Sequence, residues 1–250
     1  MAGYDSYILC TSPRSGSTLL CRMLADTGAA GNPASYFHRP SVEAWLRAVD
    51  LAPDPTCSER ESLATVFAEV IRRGTGETGM FGLRLQRHSF AFFMEKLAVL
   101  YPDRVSDTDQ LTQAFGQVRF IHLTRQDKVA QAASYVRAQQ TGLWHKAPDG
   151  TELERLSPHE DPVYDAVALR ESFDTMTGYD RDWQAWFEQE RIEPFRVTYD
   201  ALSADPVAVL RGVLTTIGRD PDAARDIKPQ VAKLADETSA DWARWLREEL

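Results

Sequence analysis

No apolar run in these 250 residues approaches the roughly 18–20 needed to cross a bilayer, so no stable membrane insertion is expected. The opening stretch Met1 to Ser6 lacks the basic start and long apolar segment of a secretory leader, which makes a cytoplasmic location the expectation. Cysteine is scarce. Cys10, Cys21 and Cys57 form no CxxC pair and have no histidine at metal-ligand spacing, so neither a disulfide scaffold nor a cysteine metal site is expected. Repeats, low-complexity tracts and long linkers are absent as well, and a single domain spanning 1–250 is the simplest organisation. The net charge of −9 excludes the broadly basic face of a nucleic-acid binder. It leaves an anionic ligand open, since a site needs only local positive charge.

What is present reads as strands alternating with helices. Tyr7-Ile8-Leu9-Cys10 forms a first strand ending at Thr11, and Thr18 to Ala25 a helix stopped near Gly28. Leu63, Val66, Phe67, Val70 and Ile71 fall on one face of a helix that Gly74 is expected to end. Met80 to Leu85 reads as a strand and Phe90 to Leu100 as a helix. Val118 to Leu123 is the clearest central strand, followed by a helix from Asp127 to Gln140. A long helix is predicted from Val163 to Arg191, a strand at Phe195 to Thr198, and a helix from Asp205-Pro206 to Gly218. This order predicts an α/β fold with a mostly parallel central sheet and helices on both faces. Ligands of such sheets bind at the carboxyl ends of the strands.

Two turns lie at such ends. Thr11-Ser12-Pro13-Arg14-Ser15-Gly16-Ser17-Thr18 joins a strand to a helix. Its small residues let backbone N–H groups converge on an anion at the positive end of the new helix. Ser15, Ser17 and Thr18 offer hydroxyl donors, and Arg14 offers a planar cationic fork. The stretch is not a nucleotide-triphosphate P-loop: no glycine leads it and no lysine follows Gly16, nor does the central strand end in an aspartate for Mg²⁺. No metal is therefore expected. The second turn, after Leu123, carries Arg125 at the strand end and Ser134 about two and a half turns into the next helix.

Ser12-Pro13-Arg14-Ser15-Gly16-Ser17-Thr18-Leu19-Leu20 resembles the 5′-phosphosulfate loop of sulfotransferases. With Gly28 and Gly31-Asn32-Pro33 downstream, its form is similar to that of the bacterial Stf0 family. The likeness extends through Trp183-Gln184-Ala185-Trp186-Phe187, the stretch Ile192 to Asp200, and the tail Lys228-Pro229 and Leu234 to Trp242. It implies a P-loop NTPase-like sulfotransferase fold and a donor, 3′-phosphoadenosine 5′-phosphosulfate (PAPS), with PAP as product. Pro13, Arg14, Ser15, Gly16, Ser17 and Thr18 would hold the 5′ end of that donor, Arg125 and Ser134 its 3′-phosphate. The acceptor implied is a hydroxyl of a carbohydrate or a lipid, with in-line transfer and no metal, and a homodimer is implied by resemblance alone.

The chain departs from that family where a catalytic glutamate is expected: Gly31-Asn32-Pro33-Ala34-Ser35-Tyr36-Phe37-His38 carries Ser35 there. His38, three residues on, is the first candidate base. His88 is the second, in a segment where Arg84 stands for the family's usual lysine; Glu43 is a third. The catalytic candidates are thus Arg14, Arg84, His38 and His88. His145, His159 and Trp144 fall in a Pro- and Gly-containing stretch read as an acceptor-side loop. A kinase-like P-loop phosphotransferase and a non-catalytic PAPS- or PAP-binding relative are the alternatives.

Overall fold

The structure, a computed structural model, describes residues 3–232, 234 and 236–250. Met1 and Ala2 of the N-terminal reading, Lys233, and Ala235 of the tail motif lie outside the described residues. In chain order the elements are β1 (Ser6–Thr11), α1 (Ser17–Asp26), α2 (Val42–Ala48), α3 (Glu59–Thr75), β2 (Phe81–Gln86), α4 (Arg87–Leu100) and α5 (Asp107–Phe115). They continue with β3 (Val118–Thr124), α6 (Lys128–Thr141), β4 (Leu143–Lys146), β5 (Glu152–Arg155) and α7 (Ala166–Gln189). β6 (Phe195–Thr198), α8 (Tyr199–Ala204), α9 (Pro206–Thr216), a 3₁₀ turn at Pro221–Ala224 and α10 (Glu237–Glu249) complete the chain.

Four strands make one parallel sheet in the order β2-β1-β3-β6. All six residues of β1 are buried, as a central parallel strand requires, and its alternating side chains feed two different cores. Ile8 and Cys10 join Leu83, Leu85 and Phe120 in an aromatic-rich core beneath α2 to α5 and α7. Tyr7 and Leu9 join Ile121, Leu123 and Val197 on the opposite face, under α1 and α9. A helix layer on each face of a parallel sheet is the expected α/β arrangement.

Register decides where function can sit. Thr11 pairs with Gln86 on one side and Leu123 on the other, so β1, β2 and β3 end level with one another. The turns that follow them therefore open on one edge. Trp183, fully buried, belongs to the core as its helical spacing predicts. Its indole N–H also donates to the carbonyl oxygen of Thr11 at 2.9 Å, which fixes the point where the loop leaves the sheet.

Several elements escape the sequence reading. α7 begins at Ala166, three residues later than predicted, because Asp165 caps it by accepting from the Ala168 N–H. α3 begins at Glu59 behind a complete Ser58–Glu61 capping box and passes through Gly74 to a cap at Gly76. The stretch expected to be an acceptor-side loop is an antiparallel hairpin, β4–β5. Among the described residues no helix is long and apolar enough to cross a membrane.

Candidate active site

The loop Ser12–Gly16 closes β1 and opens α1. Two of its residues take left-handed backbone, Arg14 with φ 60° and Gly16 with φ 87°. Gly16 stands at the N-cap of α1 and supplies no side-chain hydrogen bond, so the helix begins with its N–H groups free for an outside acceptor. The glycine is required twice over. Its φ disfavours any side chain, and an added Cβ would lie 2.9 Å from Tyr199 Cδ2 on α8.

Ser15 is where the structure departs from expectation. Its hydroxyl is fully buried, donating to the Ser12 carbonyl oxygen at 2.8 Å and lying 2.6 Å from Thr11 Oγ1. That hydroxyl folds the loop and cannot reach a ligand, which leaves Ser15 only its backbone. Gln131 of α6 adds a second staple, donating to Ser12 Oγ and to the Pro13 carbonyl oxygen at 3.0 and 2.6 Å.

A cavity of about 970 Å³ opens over the level ends of the three strands. Pro13, Arg14, Gly16, Ser17, Thr18, Arg125 and Ser134 line it, and so do Arg84, His38 and His88. Arg84 of β2 donates through Nη1 to Thr18 Oγ1 at 2.8 Å and through Nε to Ser35 Oγ at 2.6 Å. Ser35 is within reach because the segment after Gly31 runs beside β2, with the Arg84 N–H donating to the Ala34 carbonyl oxygen. Arg14 spans the two turns: its Nε donates to Ser134 Oγ at 3.0 Å and its Nη1 to the Trp144 carbonyl oxygen at 2.5 Å. Arg125 lies over the Tyr199 ring at 4.4 Å and donates to the Arg14 carbonyl oxygen at 3.4 Å. The two anion-binding turns inferred from sequence thus share one wall, with Arg14 reaching from the first to the serine of the second.

Among the described residues, Arg14, Arg84 and Arg125 make no ion pair with a carboxylate. Burial, then the charge of Arg125, pulls the Arg14 guanidinium down to about 10, and burial also lowers Arg125. Arg125 Nε is buried without a partner. Clustered cations held this way cost free energy until an anion meets them.

His38 and His88 are neighbours. His88 Nε2 and His38 Nδ1 are 3.2 Å apart, with the rings edge to face. Burial lowers His38, with Arg84 the next influence, and burial followed by His38 lowers His88 to about 4. Glu43 is on the surface, paired with Arg47 at 3.1 Å, and is removed from contention. His159 also sits on the surface, beside Asp161.

Sequence reasoning placed this stretch on the acceptor side but as a loop, missing the β4–β5 hairpin that walls the cavity. Half-buried Trp144 packs its ring edge-on to Tyr135 at 5.7 Å. His145 places Nε2 3.0 Å from Thr18 Oγ1 and 3.4 Å from Glu154 Oε2. Burial, then Arg14, Arg84 and Arg22, depresses His145 to about 3. The only signals were a Pro148-Asp149-Gly150 turn and the short segments flanking it. The tail closes the same side: the Ala232 N–H donates to the Lys146 carbonyl oxygen at 2.8 Å, and Arg137 holds the Leu234 carbonyl oxygen and pairs with Asp236.

Acid should loosen this arrangement. His122, 1% exposed, is lowered to about 4, burial being the first cause, and His145 to about 3. An unfolded chain protonates both near pH 6.5. Below that pH the unfolded state binds more protons than the folded one, so stability falls as pH drops. We expect a loss of about 2–4 kcal/mol between pH 7 and pH 5, seen as a melting point about 5–10 °C lower. An unchanged melting point would show that neither imidazole is buried neutral.

A cavity of this kind suits a ligand carrying several negative charges at one end, with a second and less charged ligand beside it. Within that class the chain belongs to the Stf0 sulphotransferase family, whose model matches residues 6–249, and it is a sulfotransferase. It is 30% identical over 263 residues to a trehalose 2-sulfotransferase of Mycobacterium tuberculosis (strain ATCC 35801 / TMC 107 / Erdman), covering 97% of this chain and 94% of the relative. Identity to the trehalose 2-sulfotransferase of Mycolicibacterium smegmatis (strain ATCC 700084 / mc(2)155) is 30% over 261 residues, with 97% and 94% covered. Among solved structures, a sulfotransferase from Alicyclobacillus acidocaldarius is similar at TM-score 0.47 and 11% identity, over 100% of this chain and 93% of that one. The sulfotransferase domain of the Synechococcus PCC 7002 olefin synthase is similar at TM-score 0.41 and 16% identity, over 100% and 97%.

Proposed function

We propose that the chain, as one sulfotransferase domain across 1–250, moves a sulfuryl group from PAPS to a hydroxyl of a carbohydrate acceptor. The observation that carries this reading is the trio Arg14, Arg84 and Arg125, cations without acidic partners among the described residues, around the uncapped start of α1. PAPS would supply an already activated sulfuryl group, and the residues present fit it: free helix N–H groups, three guanidinium forks and a buried Nε in search of an acceptor. A cavity near the upper end of the usual roughly 300–1,000 Å³ range leaves room for an acceptor beside the donor.

In this reading the loop N–H groups with Ser17, Thr18 and Arg84 hold the 5′ end, and Arg125 with Ser134 holds the 3′-phosphate. Arg14, lying between the two groups, offsets charge at both. The acceptor oxygen forms a new bond to sulfur as the bond from sulfur to the departing PAP breaks, and the hydroxyl proton must go to the protein. His38, backed by His88, takes it: both imidazoles are pushed towards the neutral form, and in the tautomer where His38 Nδ1–H donates to His88 Nε2, His38 Nε2 is free to accept. A sugar hydroxyl is favoured over a lipid one by the trehalose 2-sulfotransferases among the relatives.

The test is calorimetry with PAP, and with ATP with and without Mg²⁺, followed by labelled-sulfate transfer from PAPS to trehalose and other polyols. Metal-free PAP binding and a labelled sugar are expected; ATP binding that needs Mg²⁺, with none to PAP, would sink the reading. The His38→Ala variant should keep PAP affinity and lose about 100-fold in kcat, at the low end for a general base because His88 adjoins it. Near wild-type turnover would move the base elsewhere.

A further inference from the structure

We propose that Glu154, carried into the cavity by the β4–β5 hairpin, binds the acceptor by taking hydrogen bonds from the hydroxyls of a neutral polyol, with His145 as its positioning residue. The inference rests on the sulfotransferase reading above and names the acceptor side of the same site.

Glu154 is the one carboxylate among the described residues that line the cavity. Everything else charged there is positive or imidazole: three arginines and three histidines. A donor bearing several negative charges is drawn to the arginines and repelled by a carboxylate, so Glu154 marks the part of the cavity that the donor does not take. What belongs beside it must donate hydrogen bonds without carrying negative charge.

The carboxylate is available for this. An ionised carboxylate has about four lone-pair sites, and only Oε2 is engaged, 3.4 Å from His145 Nε2. The side chain keeps 46% of its surface exposed. Adjacent hydroxyls on a sugar ring could each donate to one of its oxygens, whereas an alkyl chain laid over it would strip its water and return nothing. The chemistry selects a polyol over a lipid.

The hairpin also holds Glu154 at the donor's threshold. His145 touches Thr18 Oγ1, which in turn accepts from Arg84, so the carboxylate is two side-chain contacts from the first turn of α1. The Trp144 carbonyl oxygen is tied to Arg14, and the Lys146 carbonyl oxygen to the tail. Glu154 is thus a short, braced step from the group that would be transferred, where a contact to one hydroxyl orients its neighbour for attack.

The experiment uses the full chain loaded with PAP, with trehalose and octan-1-ol as probes in saturation-transfer NMR, comparing wild type with Glu154→Gln. Trehalose contact in the wild type, weakened about 10-fold or more in the variant with PAP affinity and melting point unchanged, is the expected result. Turnover should show the same split: KM for trehalose raised about 10-fold, kcat nearly unchanged. Equal trehalose contact in both proteins, contact from octan-1-ol alone, or no contact from trehalose overturns the proposal. A fall in kcat at constant KM overturns it as well, since it would make Glu154 a proton acceptor. Calorimetry on the same samples separates the two readings: failure of the wild type to bind PAP removes the donor assignment itself, whereas PAP binding with an unresponsive Glu154→Gln removes only this inference.

Discussion

Replacing Arg125 with alanine should weaken PAP binding by about 1,000-fold, equivalent to about 4 kcal/mol, with the fold intact. The size follows from where the guanidinium sits. Its flat face rests on the Tyr199 ring at 4.4 Å, and its Nε is buried with nothing to bond. No carboxylate among the described residues pairs with it, so the free protein bears the cost of desolvating that charge, which a bound phosphate would recover. Removing the fork from a complex leaves a buried phosphate without its counter-ion, the expensive half of a charge-assisted pair. Arg125→Lys separates charge from shape. A lysine keeps the charge but loses the two-pronged donor and the stack on Tyr199, so a loss of about 10–100-fold is expected. Calorimetry with PAP on both variants, with melting curves as the control for folding, decides the matter. Affinity within a few-fold of wild type in Arg125→Ala would mean that this arginine only braces the Arg14 turn.

The loop residues and the two turns were legible because their signals are local. Small residues between an apolar run and a helical one announce a strand–turn–helix, and Arg125 follows a strand with a clear apolar core. Parallel register could not be read, yet it is register that sets Thr11 level with Gln86 and Leu123 and gathers Arg84 from β2 with Arg14 and Arg125 from the turns after β1 and β3. Ser15 shows the reverse limit: a hydroxyl in an anion-binding pattern turns inward to Thr11 and Ser12, and nothing in the chain order distinguishes it from Ser17. His38 and His88 came forward separately, as rival bases. Their contact arises because α4 starts beside the segment that runs along β2, a tertiary fact without a sequence mark. The hairpin escaped for a different reason. Its strands are four residues each, too short for a period of two to stand out from the sequence, and Glu154 stands in a run that reads as solvated surface.

Gly31 makes the second large prediction, on stability and through it on the site. Its φ is +69°, a region that costs an ordinary residue about 1 kcal/mol or more. Space makes matters worse. A Cβ at this position would fall 2.2 Å from the Met80 carbonyl oxygen and 2.3 Å from that of Gly74. Both neighbours are backbone, one just before β2 and the other near the end of α3, so neither can swing aside as a side-chain tip would. The next residue, Asn32, is anchored there too, its N–H donating to the Gly74 carbonyl oxygen at 2.7 Å. We therefore expect Gly31→Ala to destabilise the protein by about 4 kcal/mol or more, combining overpacking with backbone strain. For a chain of this size that corresponds to a melting point lower by about 10 °C or more. The segment displaced by such a clash is the one that sets Ser35 against Arg84 and His38 against His88, so variant protein that stays folded should also lose turnover. PAP affinity should survive better, because Arg125 and Ser134 hang from β3 and α6 on the other side of β1. Thermal melts beside PAP calorimetry would show this split; a Gly31→Ala protein that melts within about 2 °C of wild type would mean the chain can open between α3 and β2 at little cost.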